Sequence, residues 1–322
     1  MEEGKVMIDE VIKVQDLTKI YPNGKVAVNK ISFNLNKGEI FGMLGPNGSG
    51  KTTTILMLLG LLDATEGSVS VLGYNPLRTP LEVKKRVSYL PDSVGFYSNL
   101  TAYENVDYTT RFLNLKNNER KSRIDKALKK IRLYENRNDK IKTFSHGMKQ
   151  RLGLAEVLIK QPDIAILDEP TQGLDPASVA EFLDIIRSFR DDENMSVLIS
   201  SHQLNQVQSV CNRVGLFSQG NLITYGTVKE LSNDRFGTNR IVNLTLEKDS
   251  DITSIVKNIE GITKTTKTSP GQWILSCTSD IRSKLVKALV DNHLNIKSVN
   301  LQLHSLEDIY RSYFEEAENG KE

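Results

Sequence analysis

The sequence predicts an α/β protein built on a buried, largely parallel sheet and followed by a smaller α+β unit. Three observations carry this. Short apolar runs alternate with helix-period segments between Ile40 and Phe217, and a glycine-rich loop joins the first such run to the first such helix. Beyond Phe236 the order changes to strand, helix, strand, strand, helix, strand, helix. A length of 322 residues suits two domains. With 39% hydrophobic and 25% charged residues and a mean hydropathy of −0.34, a disordered chain is excluded.

In chain order, VIKVQDLTKIY and VAVNKISFNL flank Pro22-Asn23-Gly24 and read as an antiparallel ribbon. Ile40–Leu44 is a short buried strand, and GPNGSGKTT leads into a helix with Ile55, Leu58, Leu59 and Leu62 on one face. Strands are expected at Ser68–Leu72 and Arg86–Leu90, followed by two helical segments within 101–133 that form an insertion. A helix over 148–160 precedes a regular alternation: strand 164–167, helix 177–190, strand 197–200, helix 203–210, strand 214–217. Such alternation implies helices packed on both faces of a parallel sheet.

The second unit is expected to begin near Phe236-Gly237-Thr238. Its pattern is a strand carrying Val242, Leu244 and Leu246, a helix over 251–260, strands near 262–268 and at WILSC, a helix over 280–291, a strand over 296–303 and a helix from 305. That order predicts a ferredoxin-like split-βαβ sandwich. Ser305 and Asp308 have the spacing of a capping box at the start of the last helix. The domains are therefore read as 1–235, with a helical subdomain at about 92–147, and 236–322.

Charge and cysteine content exclude several classes of function. Lys+Arg 42 against Asp+Glu 40 gives a net +2, with no excess in either half, so nucleic acid is not the expected partner. Cys211 and Cys277 have no metal-like spacing and suggest no disulfide framework. MEEGKVMIDEVIK lacks the apolar stretch of a signal peptide, and the longest apolar run, Ile55–Leu62, falls far short of the roughly 18 residues that span a bilayer. A cytoplasmic or peripheral protein is expected.

The chemistry concentrates in three segments. Gly45-Pro46-Asn47-Gly48-Ser49-Gly50-Lys51-Thr52-Thr53 fits GxxxxGK[ST] between a strand and a helix. Its glycines let successive N–H groups turn inward onto phosphate oxygens at a helix N-terminus, Lys51 adds a point charge, and the Thr52 hydroxyl can ligate Mg²⁺. Ile164–Leu167 ends in Asp168-Glu169 at the strand end where α/β proteins bind ligands. Side chains alternate along a strand, which puts Asp168 toward a metal and leaves Glu169 to polarise the attacking water. Phe144-Ser145-His146-Gly147-Met148-Lys149-Gln150-Arg151 opens a helix 23 residues before Asp168 and forms a second anion site.

Together these segments resemble the ATP-binding subunit of an ABC transporter over roughly residues 10–235. The resemblance implies a P-loop NTPase fold of the ABC type, with ATP and Mg²⁺ as cofactors. It implies that Ser145 and Gly147 contact the γ-phosphate held by a second copy of the domain, and that Tyr21 stacks on adenine. Asp175 in Gly173-Leu174-Asp175-Pro176 would signal across the dimer, and His202 after VLISS would contact the γ-phosphate. Asp92 in Tyr89-Leu90-Pro91-Asp92 stands where the family commonly has a glutamine that reaches the metal, and His146 stands in place of the first signature glycine. Both variants, and the closing pattern Ser305-Leu306-Glu307-Asp308, are similar to ABC-2-type drug and peptide exporters.

The implied function is an ATP-hydrolysing motor that dimerises around ATP and drives export through a separate transmembrane permease, peripheral on the inner face of the membrane. Lys51, Glu169 and His202 are the expected catalytic residues. Thr52, Asp92 and Asp168 are the expected metal ligands. The alternatives are a soluble ABC ATPase of translation or DNA maintenance, which would carry paired domains or long coiled coils, and a weakly hydrolysing ATP-binding regulator. Clustered aromatics Phe96, Tyr97, Tyr103, Tyr108 and Phe112 would line the groove for the permease or pack the helical insertion.

Overall fold

A computed structural model describes residues 10–236, 240–302 and 306–319, and they form two compact units that divide after Thr227. The first unit holds two sheets. Strands β1 (Glu10–Ile20), β2 (Val26–Asn36) and β4 (Glu66–Val71) make an antiparallel sheet in the order β2-β1-β4. The β1–β2 turn closes on Gly24 at φ +79°, a conformation that glycine adopts without steric cost.

The second sheet has six strands, with β3 (Ile40–Leu44), β5 (Val87–Leu90), β6 (Ile164–Leu167), β7 (Ser196–Ser201) and β8 (Arg213–Ser218) parallel in the order β5-β6-β7-β3-β8. Strand β9 (Asn221–Gly226), which periodicity missed because Gly226 is its one buried residue, adds antiparallel at the β8 edge. Every residue of β3, β6 and β7 is buried, as expected of strands covered on both faces. Phe33 of the first sheet stacks on Phe41 at 5.4 Å and meets Phe217 edge-on at 6.2 Å, which joins the two sheets through one core.

Helices α1 (Lys51–Leu58), α5 (His146–Lys160) and α6 (Pro176–Asp191) flank the parallel sheet, and α2 (Pro80–Arg86) is a short helix that the apolar pattern did not reveal. Within the insertion, α3 (Ala102–Thr110) starts at a reciprocal capping box. The Glu104 N–H donates to Thr101 Oγ1 at 3.1 Å and the Thr101 N–H donates to Glu104 Oε2 at 2.8 Å. Helix α4 (Asn117–Lys130) packs behind it through Ile124, Ala127 and Leu128.

Two expected helices are shorter than their periodicity suggested. Only Leu204–Val207 (α7) of 203–210 is helical, because Val210 and Cys211 both donate back to the Val207 carbonyl and close a turn. Only Thr253–Val256 (α9) of 251–260 is helical, since Ile259 donates to Val256 and Gly261 then takes φ +100° to enter the next strand. In both, buried residues at helical spacing sit in successive tight turns.

The second unit contains α8 (Val228–Phe236), β10 (Arg240–Leu246), β11 (Ile262–Ser269), β12 (Gln272–Cys277), α10 (Arg282–Asp291), β13 (Ile296–Gln302) and α11 (Leu306–Asn319). Its four strands are antiparallel in the order β11-β12-β10-β13, over a core that includes Leu244, Trp273, Leu275 and Leu285. The units divide after Thr227, ahead of the Phe236 boundary read from the sequence, because α8 belongs with α11. Arg235 bonds to Ser312 and lies over the Tyr313 ring, and the Tyr313 hydroxyl donates to Asp234 at 3.1 Å. Residues 237–239 and Ser305 of the expected capping box lie outside the described residues.

Candidate functional site

Register brings the chemical segments together. Leu44 pairs with Ser201 and Leu167 pairs with Ile199, so β3 and β7 end together and β6 ends two residues short of them on the same side of the sheet. The glycine loop, Asp168-Glu169 and His202 follow those three ends directly, at the strand order reversal where α/β sheets hold ligands.

The loop is shaped by backbone crowding. A Cβ on Gly45 would lie 2.1 Å from the Phe217 carbonyl oxygen, and one on Gly50 would lie 2.6 Å from that of Ala27. Gly48, at φ +81°, opens on free space. Pro46 and Asn47 occupy the turn, where Ser49 N–H donates to the Pro46 carbonyl at 3.2 Å. Ser49 Oγ is buried without a hydrogen-bond partner, and a Cβ on Gly45 would lie 2.9 Å from it. These features fit a phosphate chain. Thr52 and Thr53 sit in the first turn of α1. Tyr21 lies half-buried in the β1–β2 turn with Lys19 Nζ 5.6 Å from its ring.

Lys51 Nζ is buried, donates to the Gly45 carbonyl at 2.8 Å, and lies 3.1 Å from Glu169 Oε1. The other carboxylate oxygen, Oε2, accepts from the His202 backbone N–H at 3.2 Å and faces His202 Nδ1 at 2.8 Å. Lys51, Glu169 and His202 thus form one contiguous cluster drawn from three strand ends.

Asp168 and Glu169 diverge for a reason other than the expected one. Strand β6 ends at Leu167, and Glu169 adopts φ +45°, so a left-handed turn and not strand alternation separates the two carboxylates. Ser200 holds this turn: its hydroxyl donates to Asp168 Oδ1 and accepts the Glu169 N–H at 2.9 Å. Burial pushes Asp168 above the usual carboxylate range, opposed by the Ser200 and Thr52 hydroxyls. Burial, reinforced by the charges of Asp168 and Asp92, pushes the Tyr89 phenol up to about 12 and keeps it a donor. Neither Ser200 nor Tyr89 was assigned a role from sequence. The signal available was their place within the VLISS and Tyr-Leu-Pro-Asp segments.

Asp92 is exposed, and its backbone carbonyl accepts from Gln150 Nε2 at 2.9 Å. Among the described residues no cluster of three or more His, Cys, Asp or Glu could hold a metal by itself. The Asp168 carboxylate and the Thr52 hydroxyl at the start of α1 are hard oxygen donors of the kind that would suit Mg²⁺ alongside substrate phosphates and water.

Ser145, Gly147 and Asp175 form a second group. Ser145 caps α5 by accepting the Met148 N–H at 3.2 Å, and Asp175 caps α6 by accepting from Ala177, Ser178 and the Ser178 hydroxyl. Those Ser178 bonds hold the Asp175 carboxyl below its ordinary range. The cap hydrogen bonds of Ser145 and Asp175 stay within the first turns of α5 and α6.

Comparison with known proteins identifies the family. Residues 28–172 match the family described as ABC transporter. The bacitracin transport ATP-binding protein BcrA of Bacillus licheniformis is 34% identical over 308 residues, covering 93% of this chain and 96% of that protein. The linearmycin resistance ATP-binding protein LnrL of Bacillus subtilis (strain 168) is 32% identical over 305 residues, covering 93% and 97%. Among solved structures, cbiO1 from Clostridium perfringens, part of the ABC transporter complex cbiONQ, superposes with a TM-score of 0.65 at 27% identity, over 69% of this chain and 90% of that one.

Proposed function

The chain belongs to the ABC transporter family as an ATP-binding subunit that hydrolyses ATP for transport, and from that premise we propose that two copies close around ATP to drive an antimicrobial exporter. The cargo class rests on two relatives, similar over nearly their full length, whose names concern bacitracin transport and linearmycin resistance. No helix among the described residues is long and apolar enough to cross a membrane, so the pathway is assigned to a separate permease, with this chain docked on its inner face.

The observation that carries the mechanism is the junction of Lys51, Glu169 and His202 at 3.1 and 2.8 Å. In this reading the loop from Gly45 to Thr53 holds the phosphates and Tyr21 faces the adenine. Thr52, Asp168 and Asp92 hold Mg²⁺, which when bound neutralises phosphate charge. The triphosphate competes with Glu169 for Lys51. Once Lys51 turns to the phosphates, Glu169 Oε1 is released to take a proton from the attacking water, while His202 keeps Oε2 in place. Ser145 and Gly147 then close on the γ-phosphate held by the other copy, and Asp175 lies at the seam.

Glu169→Gln tests this. The variant keeps the size of the side chain and its contact with His202 but loses the base. We expect ATP binding to persist, turnover to fall at least about a hundredfold, and an ATP-bound dimer to accumulate in size-exclusion chromatography. Wild-type turnover, or a variant that stays monomeric in ATP, would refute it.

A further inference from the structure

His146 departs from the family pattern and has no part in the mechanism above. It is the first residue of α5, between Ser145 and Gly147, and its imidazole is exposed. Nε2 lies 2.9 Å from the carbonyl oxygen of Gln172. A carbonyl only accepts, so Nε2 carries the proton, and both the neutral Nε2–H tautomer and the imidazolium make this bond. The ring also lies against Gly173: a Cβ there would sit 3.5 Å from His146 Cδ2 and 3.6 Å from Nε2, which is ordinary contact.

Gln172 is not an isolated anchor. Its own N–H donates to the Glu169 carbonyl at 3.1 Å, and three residues further on Asp175 caps α6. The next signature residue, Gly147, abuts the same helix start, where a Cβ would lie 3.4 Å from Ser178 Oγ and 3.6 Å from Leu174 Cδ2. An unbroken run of contacts therefore leads from the signature turn through His146 and Gln172 to the backbone of Glu169.

We propose that His146 is a positioning residue that couples the two nucleotide sites of the dimer. It binds the signature turn, which closes on the partner copy's nucleotide, to the Glu169–Asp175 loop, which serves the chain's own nucleotide. Engagement at one site is thereby transmitted to the base at the other. Glycine in the same place has no side chain to make this link. The proposal rests on the composite-site reading given above.

The test compares His146→Gly, His146→Leu and His146→Gln in the full-length protein. Gln carries a terminal amide donor of similar reach, whereas Leu keeps bulk without a donor. Readouts are the melting temperature, ATP binding by protein diluted below the pairing concentration, the ATP dependence of turnover, and pairing of each variant in a Glu169→Gln background. Wild type should show ATP-driven pairing and a Hill coefficient above one. Gly and Leu should raise the ATP concentration for half-maximal pairing and turnover by about three- to tenfold, the range expected for one lost hydrogen bond. They should bring the Hill coefficient toward one while leaving single-chain ATP binding at the wild-type value and lowering the melting temperature by no more than about 4 °C. Gln should restore both parameters to within about twofold of wild type.

Wild-type cooperativity and half-saturation in Gly and Leu would overturn the coupling role alone. So would a Gln variant as impaired as Leu. Absence of ATP-driven pairing in the wild type would overturn the composite site itself, and the coupling role with it.

Discussion

Asp168 shows how the site opposes stability. Its carboxyl is buried and held above the ordinary range, so the folded state binds its proton more tightly than the unfolded state does. That contribution favours folding in acid and is lost as pH rises through the folded value, which leaves a buried anion that costs stability at neutral pH. We therefore expect Asp168→Asn to raise the melting temperature of the nucleotide-free protein at pH 7 by about 2 °C or more, as roughly 1 kcal/mol would in a domain of this size. The gain should shrink in melts run near pH 4, and turnover should be lost. An equal gain at both pH values would point to relieved packing instead of relieved charge.

At the level of elements, the glycine loop separates two reasons for the same residue type. Gly45 is required by proximity, since its Cβ would meet the Phe217 carbonyl oxygen of β8 at 2.1 Å, whereas Gly48 is required by its left-handed backbone alone. Gly45→Ala must displace a buried strand or the loop, so a loss of about 2–3 kcal/mol and of ATP binding is expected. Gly48→Ala meets only the left-handed penalty of about 1–2 kcal/mol and should retain measurable ATP binding. Denaturant midpoints and nucleotide titrations compare the two. The elements legible in the sequence were those with one clear period, such as the buried runs of β3, β6 and β7 and the amphipathic face of α6. Those missed, α2, β9 and α8, bury few residues or bury them without a clean period, so the partner across the contact decides their form.

On the scale of the whole molecule, the division after Thr227 makes the position of a truncation matter. Helix α8 buries Leu231, and its Asp234 and Arg235 bind α11, so a chain cut after Arg235 keeps α8 without its partner helix. We expect truncation after Thr227 to give a folded, ATP-binding monomer with weakened ATP-driven pairing, and truncation after Arg235 to give a less soluble one. Light scattering and ATP titration of the two fragments decide this. Equal solubility would remove the role assigned to the α8–α11 contact. Pairing and turnover unchanged after the Thr227 cut would show that the second unit has no part in dimer formation.

The sequence by itself determined the parallel sheet, the phosphate loop and the candidate residues, because a short buried strand, a glycine turn and a charged strand end each leave a local signature in residue type and spacing. Tertiary structure decided what those residues touch. The double hydrogen bond of Ser200, the contacts of Glu169 with Lys51 and His202, and the link from His146 to Gln172 all join segments far apart in the chain. No local pattern encodes such contacts, since they arise only when the folded chain brings the loops after β3, β6 and β7 and the start of α5 together.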